Sequence, residues 1–187
     1  MLEKMEKQLH QSINLEERER CIHLLEDERT VEAIPQILIS YLLFSLENLL
    51  EPLSEEANGI HYDVNPKIPY KKENVNSYGT NQRNYGLTIY TENDNKNAQV
   101  LIDIVFDEKA GIFYIPTIFL HKSMVHKGVG KRMIKICYLV AKEFNCKVQI
   151  VQMVDSFRER LLRRGATPIG FDCVEITDST DLSIHNY

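Results

Sequence analysis

This 187-residue chain has no CxxC pair, no internal repeat, no membrane-length apolar run and no overall positive charge. The four cysteines, Cys21, Cys137, Cys146 and Cys173, stand apart in the sequence. Their spacing excludes a zinc ribbon or a dithiol redox motif, so no metal site is expected. Unpaired cysteines of this kind suit a reducing compartment, and a cytoplasmic location is the expectation. The absence of a repeat excludes solenoids and propellers. The most hydrophobic window, "IPQILISYLLFSLENLL", is broken by Ser40, Ser45, Glu47 and Asn48. A membrane span needs about 20 nearly uninterrupted apolar residues, so this window reads as a buried helix and no membrane partner is expected. The start, "MLEKMEKQLHQS", has no apolar h-region and is not expected to be a signal peptide.

The net charge is -5, yet it is unevenly placed. Residues 1–60 carry 5 basic and 13 acidic side chains, whereas residues 121–165 carry 11 basic and 3 acidic ones. A basic band on an acidic chain points to a local anionic ligand. Nucleic acid as a partner is disfavoured, because it calls for a broadly basic domain.

What is present divides into three parts. Residues 1–53 read as an acidic helical segment, with one helix over 2–28 and a second from Pro35 to Leu50, stopped by Pro52. Residues 54–84, with Pro66, Pro69, Gly59, Gly79 and many Asn and Lys, read as a long loop. Residues 85–187 read as the core of a mixed α/β domain. Strands are expected at "YGLTIYTE", "AQVLIDIVFD", "IFYIPTIFLH", "VQIVQMV" and "FDCVEIT". Val129, Met133, Ile136, Cys137, Val140 and Phe144 repeat at helical spacing, and Asn145 should end that helix. A further helix follows, with Ser156 and Glu159 placed as a capping box and Gly165 just past its end. Pro116 cannot donate to a strand ladder, so it implies a bulge or a missing neighbour. The strand–helix–strand unit over 112–154 should be parallel and right-handed.

The seam between Leu120 and that first core helix carries the chemistry. A helix start offers backbone N–H groups without internal partners, together about half a positive charge. Gly128 and Gly130 remove Cβ atoms there, and His126, Lys127, Lys131 and Arg132 surround the spot. Such a place binds phosphate. It is not a P-loop, because Val125 replaces the first glycine and Arg132 the Ser or Thr. It is not a dinucleotide fingerprint either, since Met133 occupies the third glycine position.

The remaining match, Val125-His126-Lys127-Gly128-Val129-Gly130, resembles the R/Q-x-x-G-x-G/A acyl-CoA motif of the GNAT N-acetyltransferase superfamily. The resemblance extends over about residues 85–178 through element order and through "SFRERLLRRGAT", which looks like the family's last core helix. It implies a GNAT-like central mixed sheet with two splayed central strands, preceded here by N-terminal helices. It implies acetyl-CoA as acyl donor, held by Ile118, Phe119 and Leu120 along the splayed strand and by Val125 to Arg132 around the diphosphate. Backbone N–H groups at Ile118 and Leu120 would meet the pantetheine and polarise the acyl carbonyl. The implied activity is direct transfer of an acetyl group to an amine, on a small molecule or a protein.

Two departures bear on catalysis. The motif's Arg or Gln is Val125, and the position of the family's proton-donating Tyr holds Leu161. Tyr114, at the place of a strand-borne Glu in some members, and His121, with its near-neutral intrinsic pKa, are candidate catalytic groups. Glu175 and Asp103 are further strand-borne carboxylates. Against these stand a core role for Tyr114 and a solvated loop position for His121. Arg158, Arg160, Arg163 and Arg164 either grip a 3′-phosphate or form a solvated helix face. The N-terminal helices could serve as a lid or a homodimer surface, and their acidity suits a basic acceptor such as a polyamine or a Lys-rich peptide. The alternative to an enzyme is a GNAT-shaped module that holds CoA, or regulates, without turnover.

Overall fold

The apolar positions of the second predicted helix recur every four residues: Leu38, Leu42, Leu46 and Leu50. In the computed structural model these four are fully buried along one stripe of helix α1, Ile34–Leu50. The structure describes residues 34–57, 59–68, 84–92 and 98–183, and the helix expected over 2–28 lies outside them. Among the described residues no helix is long and apolar enough to cross a membrane. Pro35 sits in the first turn of α1, where its missing N–H costs nothing, and the helix stops at Leu50 ahead of Pro52.

The chain is mixed α/β, built on a seven-stranded sheet of order β1-β2-β3-β4-β5-β7-β6. The strands are β1 (Ile60–Ile68), β2 (Asn84–Glu92), β3 (Ala98–Asp107), β4 (Ile112–Ile118), β5 (Lys147–Ile150), β6 (Thr167–Pro168) and β7 (Val174–Ile176). Helix α2 (Val129–Glu143) connects β4 to β5, and α3 (Asp155–Arg163) follows β5. The β4–β5 pair is parallel, as expected, and the other neighbouring pairs are antiparallel.

One face of the sheet is apolar. Leu87, Ile89, Ile102, Ile104, Phe113, Ile115, Val148 and Val174 are fully buried on it and join α1 and the Val129, Met133, Cys137 and Val140 stripe of α2 in one core. Tyr41 of α1 meets Phe144 at the end of α2 edge to face, with centroids 6.4 Å apart. Burying a side chain such as Phe113 stabilises by roughly 1.5–3 kcal/mol, so this layer fixes the position of both helices on the sheet. The other face carries Thr88, Asp103, Tyr114, Gln149 and Glu175, all half-buried.

Several expectations need correction. The span 54–84 is not one loop, because β1 occupies Ile60–Ile68 and pairs with β2 from Ile60↔Thr91 onward. Alternation of Ile60, Tyr62 and Val64 with His61 and Asp63 carries this strand. Pro66 is tolerated because β1 is an edge strand, and the register shifts between Asn65 and Ile68. The strand at "VQIVQMV" ends at Ile150, since Gln152 has φ 55 and turns the chain out of extended geometry. Ser156 does not cap α3. The N-cap is Val154, with no side-chain hydrogen bond, and Asp155 supplies the acid of the first turn. Gly165, with φ 88, follows α3 as expected, and Asn145, with φ 54, terminates α2.

Candidate functional site

Pro116 marks the place where the sheet opens. Pairing between β4 and β5 runs from Ile112↔Lys147 to Ile115↔Ile150, with a last bond of 3.2 Å from the Val151 amide to the Ile115 carbonyl. Pairing between β3 and β4 continues to Ile102↔Ile118. Between the pairs Val105↔Tyr114 and Asp103↔Thr117, β4 advances three residues while β3 retreats two. The extra residue is a bulge beside Pro116, so the sequence expectation of a bulge or a missing neighbour is met on both counts.

The bulge reverses which way the backbone faces. Before it, the carbonyls of Gly111 and Ile115 accept from Lys147 and Val151 on the β5 side. After it, the Phe119 amide donates to the Leu101 carbonyl at 2.8 Å, on the β3 side. Strand alternation then aims the amide of Ile118, and of Leu120 beyond it, into the space that β5 has vacated. Gln152 completes the divergence from the other side. Its left-handed backbone sends the chain toward the β6–β7 connection, where the Met153 amide reaches the Asp172 carbonyl at 3.4 Å. No sequence signal marked Gln152, because Gln is not a residue that favours φ > 0.

The predicted nest lies at the same end of the sheet. Gly128 is the N-cap of α2 in left-handed geometry, φ 70 and ψ 10, which a Cβ would strain. No side chain caps this helix start and no acid lies in its first turn, so its amides and positive end are uncompensated within α2. The first helical bond runs from the Arg132 amide to the Gly128 carbonyl at 3.1 Å, which leaves the amides of Val129, Gly130 and Lys131 ahead of it. His126, with φ 65, and Gly128 flank Lys127, making a tight loop of alternating backbone direction. A Cβ at Gly130 would lie 3.5 Å from a Leu120 methyl, so this glycine faces the strand end. The Val129 side chain is buried, which leaves only its backbone for a ligand. Phe119 and Val125 expose apolar side chains, 52% and 41%, beside the loop.

The basic groups are less available than their spacing suggests. The Lys127 ammonium pairs with Glu56 at 2.5 Å, a residue 71 positions away. Lys131 donates to the Ser183 carbonyl at 2.6 Å, and burial, then the nearby Arg164 guanidinium, lowers its pKa. Arg164 in turn pairs with Asp181 at 3.6 Å, which favours the surface role for that arginine. Arg132 turns back on the loop, its Nη2 donating to the Lys127 carbonyl at 3.0 Å, while its Nε is buried with no hydrogen-bond partner. An orphaned buried donor beside an uncapped helix start fits an anionic group in the nest.

The three proposed catalytic side chains are not brought together. Tyr114 and Glu175 lie on the polar sheet face, on either side of Gln149 in the register Tyr114↔Gln149↔Glu175. Glu175 is held by Gln149 at 3.4 Å and by Lys147 at 3.5 Å. His121 is not a solvated loop residue, being only 4% exposed. Its Nδ1 accepts from the Ser123 amide at 3.3 Å and meets the Ser123 hydroxyl at 2.8 Å, fastening the short turn Lys122–Met124. With Nδ1 accepting, the proton of the neutral ring sits on Nε2. Asp103 lies on the polar face opposite Thr117, the residue after Pro116, and its Oδ1 accepts from the Thr88 hydroxyl at 3.0 Å. Burial raises the Asp103 pKa, and the bonds from Thr88 and the Ile104 backbone offset part of that rise. Leu161 is 2% exposed and belongs to the core.

No protein-family model and no curated protein matches this sequence. Two solved structures share part of its shape. One is a provisionally named acetyltransferase from Agrobacterium tumefaciens, 20% identical, with a TM-score of 0.35, covering 49% of this chain and 72% of that one. The other is described as an acetyltransferase of the GNAT family from Staphylococcus aureus Mu50, 16% identical, with a TM-score of 0.30, covering 67% of this chain and 74% of that one.

Proposed function

We propose that this chain binds an acyl-CoA thioester and transfers the acyl group, acetyl in the simplest case, to an amine. The observation that carries the reading is the parting of β4 from β5 past Ile115 and Ile150, which turns the Ile118 amide into the gap beside the uncapped start of α2. The amides of Val129, Gly130 and Lys131 would hold the diphosphate. The amides of Ile118 and Leu120 would hold the pantetheine arm and the thioester carbonyl. A thioester supplies an activated acyl group, and an N–H aimed at its carbonyl oxygen stabilises the charge that develops as the amine attacks. The amine nitrogen bonds to the carbonyl carbon, the carbon–sulfur bond breaks, the nitrogen loses a proton and the thiolate gains one. The described cysteines give no support to an acyl-enzyme route. Cys137 is wholly buried, with its thiol pushed up to about 12 by desolvation, and burial also raises Cys146 and Cys173.

A second reading, a CoA-holding module without turnover, is favoured by Leu161. The place where the resembled family keeps a proton-donating Tyr holds a packed core residue here. Release of free thiol from acetyl-CoA, followed with a panel of polyamines, aminoglycosides and Lys-containing peptides, separates the two. Amine-dependent thiol release supports transfer. Tight calorimetric binding of acetyl-CoA with no release across the panel selects the non-catalytic module, and no binding at millimolar acetyl-CoA overturns both.

A further inference from the structure

The seam carries four basic residues, but the fold treats them unequally. Lys127 reaches across to Glu56 and forms an ion pair at 2.5 Å. Lys131 is drawn the other way, to the Ser183 carbonyl at 2.6 Å, in the neighbourhood of Arg164 and Asp181. His126 is exposed, on one of the two left-handed residues of the loop. Only Arg132 folds its charge back over the Lys127–Gly128 segment, through Nη2 on the Lys127 carbonyl at 3.0 Å. That single bond engages a group with five N–H donors, and it leaves Nε buried without a partner.

We infer that Arg132 is the cationic contact for the diphosphate in this chain, and that Lys127 and Lys131 are not. The inference rests on the acyl-CoA reading above and names which side chain supplies its charge. A planar guanidinium can exchange a neutral carbonyl for two anionic oxygens and engage them with two parallel N–H groups. Lys127 would have to leave an ion pair, and Lys131 is held at 2.6 Å by the Ser183 carbonyl outside the loop, whereas Arg132 already lies on the loop carbonyl of Lys127. Arg132 also answers the loss of the motif's leading cation. Val125 puts an apolar side chain at that position, and Arg132 returns positive charge to the loop from seven residues further along.

Calorimetric titration tests this with CoA, with inorganic pyrophosphate and with pantetheine, which lacks the diphosphate. Arg132→Gln should weaken CoA at least tenfold and abolish measurable pyrophosphate binding, with pantetheine unchanged. Lys127→Gln and Lys131→Gln change side chains only, keep the main-chain amides that the diphosphate would use, and should each stay within threefold of wild type. Raising the salt concentration should weaken CoA less in Arg132→Gln than in wild type, because a screened charge contact has been removed. If Arg132→Gln does not fold, Arg132→Lys takes its place: it keeps the charge but not the fork, and should lose at least threefold on CoA. Wild type binding CoA while the Arg132 variants match it overturns the inference and leaves the acyl-CoA reading standing. Equal losses from either lysine variant overturn it as well. Wild type ignoring CoA overturns the reading beneath it.

Discussion

Gly130→Ala should make the protein more stable and leave the cleft able to bind. Gly130 lies within α2, and its φ is not positive, so alanine meets no backbone strain there. Replacing a helical glycine gains about 0.5–1 kcal/mol, less in a first turn than in a helix interior. The new methyl would rest 3.5, 3.7 and 3.8 Å from atoms of Leu120, which is ordinary contact. Its burial adds up to about 0.8 kcal/mol. The sum is stabilisation of about 1 kcal/mol, or roughly 2–4 °C in Tm for a chain of this size. The same methyl lies against Leu120, and the R/Q-x-x-G-x-G/A motif that this loop resembles admits alanine at this position. CoA affinity should therefore stay within about threefold of wild type, roughly 0.7 kcal/mol. Thermal melting by circular dichroism and CoA titration on the same sample measure both quantities. A Tm that drops by several degrees would show that Leu120 cannot accept the methyl, and that Gly130 serves packing. A tenfold loss of CoA affinity in a stable variant would show that the ligand needs the space the methyl takes, and would refute the match of this loop to that motif.

Two further substitutions test the frame. Gly165→Ala faces a backbone oxygen, Ser179 O, only 2.5 Å from the new Cβ, at φ 88. Left-handed strain of about 1–2 kcal/mol adds to overpacking of about 1–3 kcal/mol, so Tm should fall by roughly 5–15 °C; a shift under about two degrees would refute the close approach. Asp103→Asn addresses the carboxyl whose pKa burial raises, with Thr88 and Ile104 offsetting part of the rise. A raised folded pKa means that the charged form is disfavoured in the fold, so the cost is absent below the unfolded value near 4 and full above the folded value. Asn keeps an acceptor for Thr88 and carries no charge. The variant should match wild type at acid pH and gain on it as pH rises through that window, in urea melts at several pH values. A difference that does not change with pH would count against the assignment.

How much of this was legible in the sequence depended on whether the signal was local. The apolar stripe of α1, the period change at Gly128 and the alternation of β2 and β3 each follow from side chains a few positions apart, and each element stands close to where it was expected. Pro116 announced the bulge because a missing N–H is a property of one residue. The reading of 54–84 as loop gave prolines and asparagines more weight than the short alternation at Ile60–Val64. At the proposed cleft the bulge beside Pro116 and the left-handed Gly128 stand where they were expected, whereas the partners of the side chains were not anticipated. Gly128 advertises left-handed geometry, whereas nothing near Lys127 in sequence points to Glu56, and nothing near Lys131 points to Ser183. Those partners are supplied by the fold over separations of 71 and 52 residues, beyond the reach of any local pattern. His121 was misjudged for a related reason: a strand-end position suggests water, but its ring was drawn inward by Ser123 two residues on.

The segment from Asp178 to Ser183 has a consequence for how the molecule presents itself to solvent. It lays a carboxylate on Lys142, another on Arg164 and a carbonyl on Lys131, while Glu175 and Glu56 take Lys147 and Lys127. The stretch that looks most cationic when written as letters is thus partly muted once folded, with Lys127, Lys142, Lys147 and Arg164 each meeting a carboxylate. Among the described residues a long polyanion would meet both signs of charge there, whereas the compact diphosphate proposed above would meet the uncapped start of α2.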